Sequence, residues 1–299
     1  MIIKNAPVRI FAAFAALLLM PVAAQAAAAN CSAVDPPRDA VHPTHNQQLL
    51  IPSSGVGLNA LLFEAAGPDP HPHPTVILMH GLPGNERNLD LAQAIRRCGF
   101  DVLTFTYRGA WGSPGDFSIA NSMEDTAAAL AFARSPEAAK LGIDPRRIVL
   151  AGHSMGGATA FMTAAGTSEL DGLILVDAWN IAGRNSHGAQ TRDEMVRGFD
   201  DFGNALHGAT PESVADEVFA KRAQWNLVAA AAKLAKLPVL TINAAYGIGA
   251  ANQPVTKALQ SAGARVTAVT IQSDHSFSDH RMALAATVTG WLQRLWVRR

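Results

Sequence analysis

Six nearly unbroken apolar runs constrain this chain more than any other feature. They are Thr75-Val76-Ile77-Leu78-Met79, Val102 to Thr106, Arg147-Ile148-Val149-Leu150-Ala151, Gly172 to Val176, Val239 to Ile242 and Val266 to Ile271. A strand without polar alternation must be covered on both faces, which a parallel sheet between helices provides. The intervals carry apolar residues at helical spacing: 87–98 (Leu89, Ala92, Ile95), the Ala-rich Met123 to Arg134, Met155 to about Gly166, 252–262 and roughly 280–297. Repeated strand–helix alternation predicts a doubly wound α/β sheet. Two earlier runs, 47–51 and 58–65, flank the Ser53-Ser54-Gly55 turn and read as a pair of edge strands. The expectation is an eight-stranded, mostly parallel sheet with helices on both faces. Residues 180–237 break the rhythm. They hold no strand run, many polar residues and scattered glycines (Gly183, Gly188, Gly198, Gly203, Gly208), and so read as a helical lid insertion without a core of its own.

The first residues read as a leader rather than as fold. Lys4 and Arg9 precede the apolar run Ile10 to Met20, followed by Pro21 and Ala24-Gln25-Ala26. That is the three-part pattern of a cleaved secretory signal, 1–26. The run is shorter than the roughly 20 apolar residues of a spanning helix. The expected product is exported, periplasmic or extracellular, with no stable membrane insertion. It has an N-terminal tether over 27–45 and one domain over 46–299. Lys and Arg number 24 against 24 Asp and Glu, so there is no basic excess to bind nucleic acid or an anionic membrane. Two cysteines, Cys31 and Cys98, are too few for a disulfide scaffold or a cysteine-built metal site. In an oxidising compartment they can pair, or Cys98 can simply pack on its apolar helix. His71 and His73 lie in a Pro/His loop, Gly67 to Pro74, that fits a solvated turn better than a metal site.

The chemistry concentrates at Gly152-His153-Ser154-Met155-Gly156-Gly157. A buried strand ends at Ala151 and a helix of small residues begins at once. A serine on so sharp a turn is held strained, with its hydroxyl above the sheet edge and a helix N-terminus behind it. Ser154 is therefore the candidate nucleophile. A serine needs a base to take its proton. Of ten histidines, His80 and His153 suit loop and elbow architecture, and His42, His45, His71, His73, His187 and His207 lie in loops or the insertion. His275 and His280 follow the last strand, where a base reaches the elbow; His275 comes first and is preferred, while His280 starts the final helix. Acyl transfer also needs donors for the oxyanion. The amide of Met155 is one. In His80-Gly81-Leu82-Pro83-Gly84 the proline has no N–H, which points to the Leu82 amide as the other.

With these pieces placed, residues 46–297 resemble the α/β-hydrolase superfamily, and most closely the small exported members related to prolyl oligopeptidase and dipeptidyl aminopeptidase catalytic domains. The resemblance rests on His80-Gly81, the loop Tyr107-Arg108-Gly109-Ala110-Trp111-Gly112-Ser113-Pro114-Gly115, the elbow at Ser154 and Asp274-His275. It implies Ser154 as nucleophile, His275 as base, and no metal or organic cofactor. In such proteins the third, acidic member usually sits in a G-x-x-D-like turn after the strand that follows the lid. Here that turn reads Asn243-Ala244-Ala245-Tyr246-Gly247-Ile248-Gly249-Ala250-Ala251-Asn252, without a carboxylate. Some relatives carry the acid one strand earlier, where Asp177 stands; Asp274, Asp279 and the absence of any acid are the alternatives. The expected activity is serine hydrolysis of a small ester or peptide through an acyl-enzyme, with Trp179, Trp225 and Phe199 offered as walls of an acyl pocket. The competing reading is a non-catalytic binding protein that kept the fold without its acid. The chain has no room for a propeller gate, and its oligomeric state is not legible.

Overall fold

The computed structural model describes residues 31–67, 73–183, 191–199 and 202–297. The expected leader 1–26 lies outside them, as do His71, His187 and Gly188. One sheet of eight strands runs through the molecule: β1 (His45–Ser53), β2 (Val56–Glu64), β3 (His73–Met79), β4 (Asp101–Phe105), β5 (Ile143–His153), β6 (Gly172–Val176), β7 (Pro238–Ala244) and β8 (Arg265–Ile271). Their order is β1-β2-β4-β3-β5-β6-β7-β8. The β1–β2 and β2–β4 pairs are antiparallel, and every pair from β4 onward is parallel.

The helices follow in chain order: α1 (Leu89–Arg97), α2 (Ile119–Ala133), the short α3 (Pro136–Ala139), α4 (Met155–Ala165), α5 (Arg192–Gly198), α6 (Pro211–Lys221), α7 (Leu227–Ala230), α8 (Gln253–Ser261) and α9 (Arg281–Val297). Alternate residues of each central strand feed opposite cores. Ile77, Leu103 and Leu150 join the core beneath α2, α4 and α8. Val76, Val102 and Val149 join the one beneath α1 and α9. That two-sided demand is why these strands lack polar alternation.

After β3 the chain adds β4 on one side, then crosses back to lay β5 on the other. Such a reversal of strand order opens a crevice at the carboxyl ends of the two diverging strands. The loop 80–84 and Ser154 both lie there.

One feature departs from expectation, and two others fill in what the sequence left open. The last run is an exposed edge strand: in β8 only Ile271 is buried. The insertion's apolar residues do not stand apart, because Met195, Phe202, Val214, Val218 and Leu227 join the larger core. It is also stitched to the loop after β4, where Trp111 N donates to Ala205 O (2.9 Å) and Phe117 N to His207 O (2.9 Å). Finally, the N-terminal tether is pinned: Cys31 and Cys98 form a disulfide, and Arg97 donates to the Ser32 carbonyl.

Candidate active site

Strand β5 ends at His153, and α4 starts at Met155, leaving one residue to turn the chain. That residue, Ser154, has φ 56° and ψ −121°. A non-glycine residue there costs about 1–3 kcal/mol and persists only where its surroundings over-determine it. Here Ser154 N donates to Val176 O on β6 (3.0 Å), and Ser154 O accepts from Trp179 N (2.8 Å) and Gly157 N (3.0 Å). The turn closes because Gly156 has no side chain: a Cβ would stand 2.5 Å from the carbonyl oxygens of both Met79 and His80.

The loop after β3 packs directly on the serine. A Cβ on Gly81 would lie 2.9 Å from Ser154 Cβ and 3.4 Å from its Oγ. Among the described residues neither the Leu82 amide nor the Met155 amide donates a hydrogen bond to the protein. Both remain free for an oxyanion beside the serine. His80 is buried, and its Nδ1–H donates to Gly81 O (2.7 Å). Burial drives its pKa down to about 4, against the opposing pull of that bond. Beneath it the Tyr107 hydroxyl reaches His80 O (3.3 Å) and Thr159 Oγ1 (3.2 Å), and burial pushes the phenol pKa upward. Arg108, the next residue, anchors the loop after β4 through Asp125 (2.7 Å).

Asp177 follows β6 with φ 38° and is completely buried. Its carboxylate has three donors. Oδ1 accepts from Ala244 N (3.0 Å), and Oδ2 accepts from Ile248 N (2.9 Å) and from His275 Nδ1 (2.7 Å). The turn that lacks a carboxylate therefore supplies amides to one arriving from the neighbouring strand. Gly247 makes room for it: a Cβ there would come within 2.2 Å of Asp177 Oδ2 and 3.0 Å of His275 Cα. With Nδ1–H given to the carboxylate, His275 keeps Nε2 as a lone-pair base.

His275 itself is partly exposed, and its backbone is tied down by side chains. His153 Nε2 donates to His275 O (2.8 Å), and the two rings lie 4.6 Å apart. Burial first, then the facing His275, lowers the His153 pKa to about 3. Arg281 was not singled out in the sequence, yet it grips the same loop: it donates to Ser276 O (2.8 Å), Asn88 Oδ1 (3.0 Å) and Asp90 Oδ2 (2.8 Å).

The other acids are engaged elsewhere. Asp274 accepts from Ser278 N (2.9 Å), and Asp279 accepts from Ser273 Oγ and lies 2.9 Å from His280 Nδ1. His280 stands just ahead of α9, its carbonyl accepting from Leu284 N (3.0 Å). The proposed aromatic wall divides. Trp179 is buried edge-on to Phe199 at 6.1 Å, whereas Trp225 sits with Met123, Leu130 and Met162 beside α2 and α4. His73 lies 3.3 Å from Asp101, and among the described residues no three His, Cys, Asp or Glu side chains gather as a metal would require.

Residues 76–288, from β3 into α9, match the alpha/beta hydrolase family. The chain belongs to that family. Among curated proteins it is 36% identical over 107 residues to the quorum-quenching protein AidA of Acinetobacter baumannii (strain MDR-ZJ06), covering 34% of each chain. It is 31% identical over 113 residues to the uncharacterized protein YfhR of Escherichia coli (strain K12), covering 38% of each. The chain thus matches little more than a third of the length of these relatives. Among solved structures, an esterase of Pyrobaculum calidifontis aligns with a TM-score of 0.62 at 20% identity, over 91% of this chain and 90% of that one. Brefeldin A esterase, a bacterial homologue of human hormone sensitive lipase, aligns with a TM-score of 0.64 at 15% identity, over 93% and 85%. At such identities the likeness is one of fold. Within this alpha/beta hydrolase, the carboxylate facing the histidine comes from the strand before the insertion, and the usual acid turn serves as its cradle.

Proposed function

We propose that the protein is a serine hydrolase that cleaves small esters through an acyl-enzyme. Ser154 Oγ attacks the carbonyl carbon while His275 Nε2 takes its proton. The negative oxygen that forms is met by the Leu82 and Met155 amides, with the α4 N-terminus behind them. The imidazolium is steadied by Asp177, then gives its proton to the leaving alkoxide. Water repeats the sequence on the acyl-enzyme. The observation that carries this reading is the 2.7 Å approach of His275 Nδ1 to a buried Asp177 already held by two amides. It supports a catalytic reading over a non-catalytic binding protein, which the turn without a carboxylate had favoured.

The esterase folds among the solved structures favour esters over peptides. Kinship with prolyl oligopeptidase domains rests on the loop motifs alone. The Cys31–Cys98 disulfide and the leader pattern support an exported protein in an oxidising compartment. A fluorophosphonate probe tests the chemistry: one adduct is expected, on Ser154, and none on Ser154→Ala. An unlabelled wild type would sink the reading. p-Nitrophenyl esters should turn over faster than aminoacyl nitroanilides.

A further inference from the structure

The buried ring of His80 has no part in the proton path from Ser154 to His275, yet its surroundings hold it closely. Tyr107 meets it edge-on at 4.7 Å, and the Tyr107 hydroxyl reaches the His80 carbonyl (3.3 Å). Gly84 closes over it: a Cβ there would stand 2.8 Å from both Nδ1 and Cε1. So placed, the ring makes one hydrogen bond, from Nδ1–H to Gly81 O (2.7 Å). Nε2 is buried without a partner among the described residues. An unpaired buried nitrogen destabilises the fold, so what the ring does through Nδ1 has to offset it. Burial lowers the ring pKa to about 4, which leaves it uncharged at neutral pH. Its single proton is then on Nδ1, because a carbonyl oxygen can only accept.

The acceptor matters because of what shares its peptide. Gly81 O and Leu82 N–H are opposite ends of one trans peptide plane. Fixing the oxygen fixes the direction of the N–H. A bond accepted at the oxygen also draws electron density from the nitrogen and strengthens the hydrogen as a donor. The same loop lies against the serine, for a Cβ on Gly81 would be 3.4 Å from Ser154 Oγ. We propose that His80 is the positioning residue of the oxyanion hole: its Nδ1–H orients and polarises the Gly81–Leu82 peptide, so that the Leu82 N–H meets the negative oxygen formed on the substrate. This deepens the serine hydrolase reading and rests on it. The unpaired Nε2 is the second nitrogen that comes with so rigid a donor.

Two substitutions of one shape test it. Asn places a donor where Nδ1 stood, whereas Leu has the same branching and no donor. For p-nitrophenyl acetate, kcat/KM should stay within about threefold of wild type in His80→Asn and fall about 30-fold in His80→Leu, less than the loss of an oxyanion donor itself. Melting temperatures should rank the other way, since Leu buries no polar atom. A trifluoromethyl ketone, which becomes an anionic hemiketal on Ser154, should lose affinity in His80→Leu by the same factor. The corresponding trifluoromethyl carbinol forms no adduct and should inhibit all three proteins equally. Equal kcat/KM in the two variants, whether both high or both low, would overturn the proposal, as would unchanged ketone affinity in His80→Leu. Should His80→Leu not fold, His80→Gln, whose amide reaches past Gly81 O, replaces it with the same expected loss. A wild type that neither hydrolyses the ester nor takes up a fluorophosphonate would defeat the serine hydrolase reading and this inference with it. An active wild type with equal variants defeats this inference alone.

Discussion

The serine–acid half of the site and the histidine half are held by different means. Ser154 and Asp177 sit at the ends of adjacent strands, both at positive φ, fixed by main-chain bonds and by neighbours that are glycine because nothing larger fits. His275 lies on a loop closed by main-chain bonds such as Phe277 N to Asp274 O (3.0 Å), but the carbonyls of His275 and Ser276 are held by side chains, His153 from the elbow and Arg281 from α9. A backbone-fixed group is sensitive to volume and tolerates no shift. A side-chain-fixed group loosens by degrees as its ties are cut.

The largest effects belong to the proposed reacting groups and bear on both halves alike. Ser154→Ala and His275→Gln should each lower kcat for a p-nitrophenyl ester by about 10⁴-fold or more, with circular dichroism unchanged. Gly247→Ala comes next and probes the rigid half. Its methyl must displace the Asp177 carboxylate or the His275 backbone, so kcat should fall about 100-fold with KM little altered. Retained activity would show that the acid turn has slack the account denies it. Arg281→Gln probes the looser half and should cost only about tenfold in kcat. If it matched Gly247→Ala, the contrast between the halves would disappear.

A smaller effect concerns stability. His80 and His153 are buried neutral, with pKa values near 4 and 3 against about 6.5 when unfolded. Between those limits the unfolded chain binds protons that the folded one refuses, so stability falls as pH drops below about 6.5 and the loss is complete only below the folded values. The full cost is on the order of 3 kcal/mol for His80 and 5 kcal/mol for His153. Thermal melts should show Tm declining from pH 7 to pH 4, with a shallower decline in His153→Asn. An unchanged slope in that variant would mean His153 protonates readily in the fold.

What the sequence discloses follows from how local each feature is. Strands β3 to β7 are legible because burial on both faces removes polar residues from consecutive positions, and the elbow because its glycines and serine are contiguous. The exposure of β8 is hidden: Val266, Val269 and Thr270 suit a pleated strand equally well at an edge. Helices α5 to α7 are obscured because Met195, Val214 and Val218 are sparse along the chain and complete a core built elsewhere. Asp177 could be narrowed only to one of several acids, since its meeting with Ala244 and Ile248 depends on the β6–β7 register. Arg281 and Asp90 are 191 positions apart, and no local pattern joins them.

On the proposed mechanism, the carboxylate from β6 orients His275 in place of the missing acid turn. The most direct test of this is kcat for a p-nitrophenyl ester in Asp177→Asn beside Asp279→Asn. A loss of about 10³- to 10⁴-fold is expected for the first and less than threefold for the second. Equal losses, or an Asp177→Asn enzyme as fast as wild type, would contradict it.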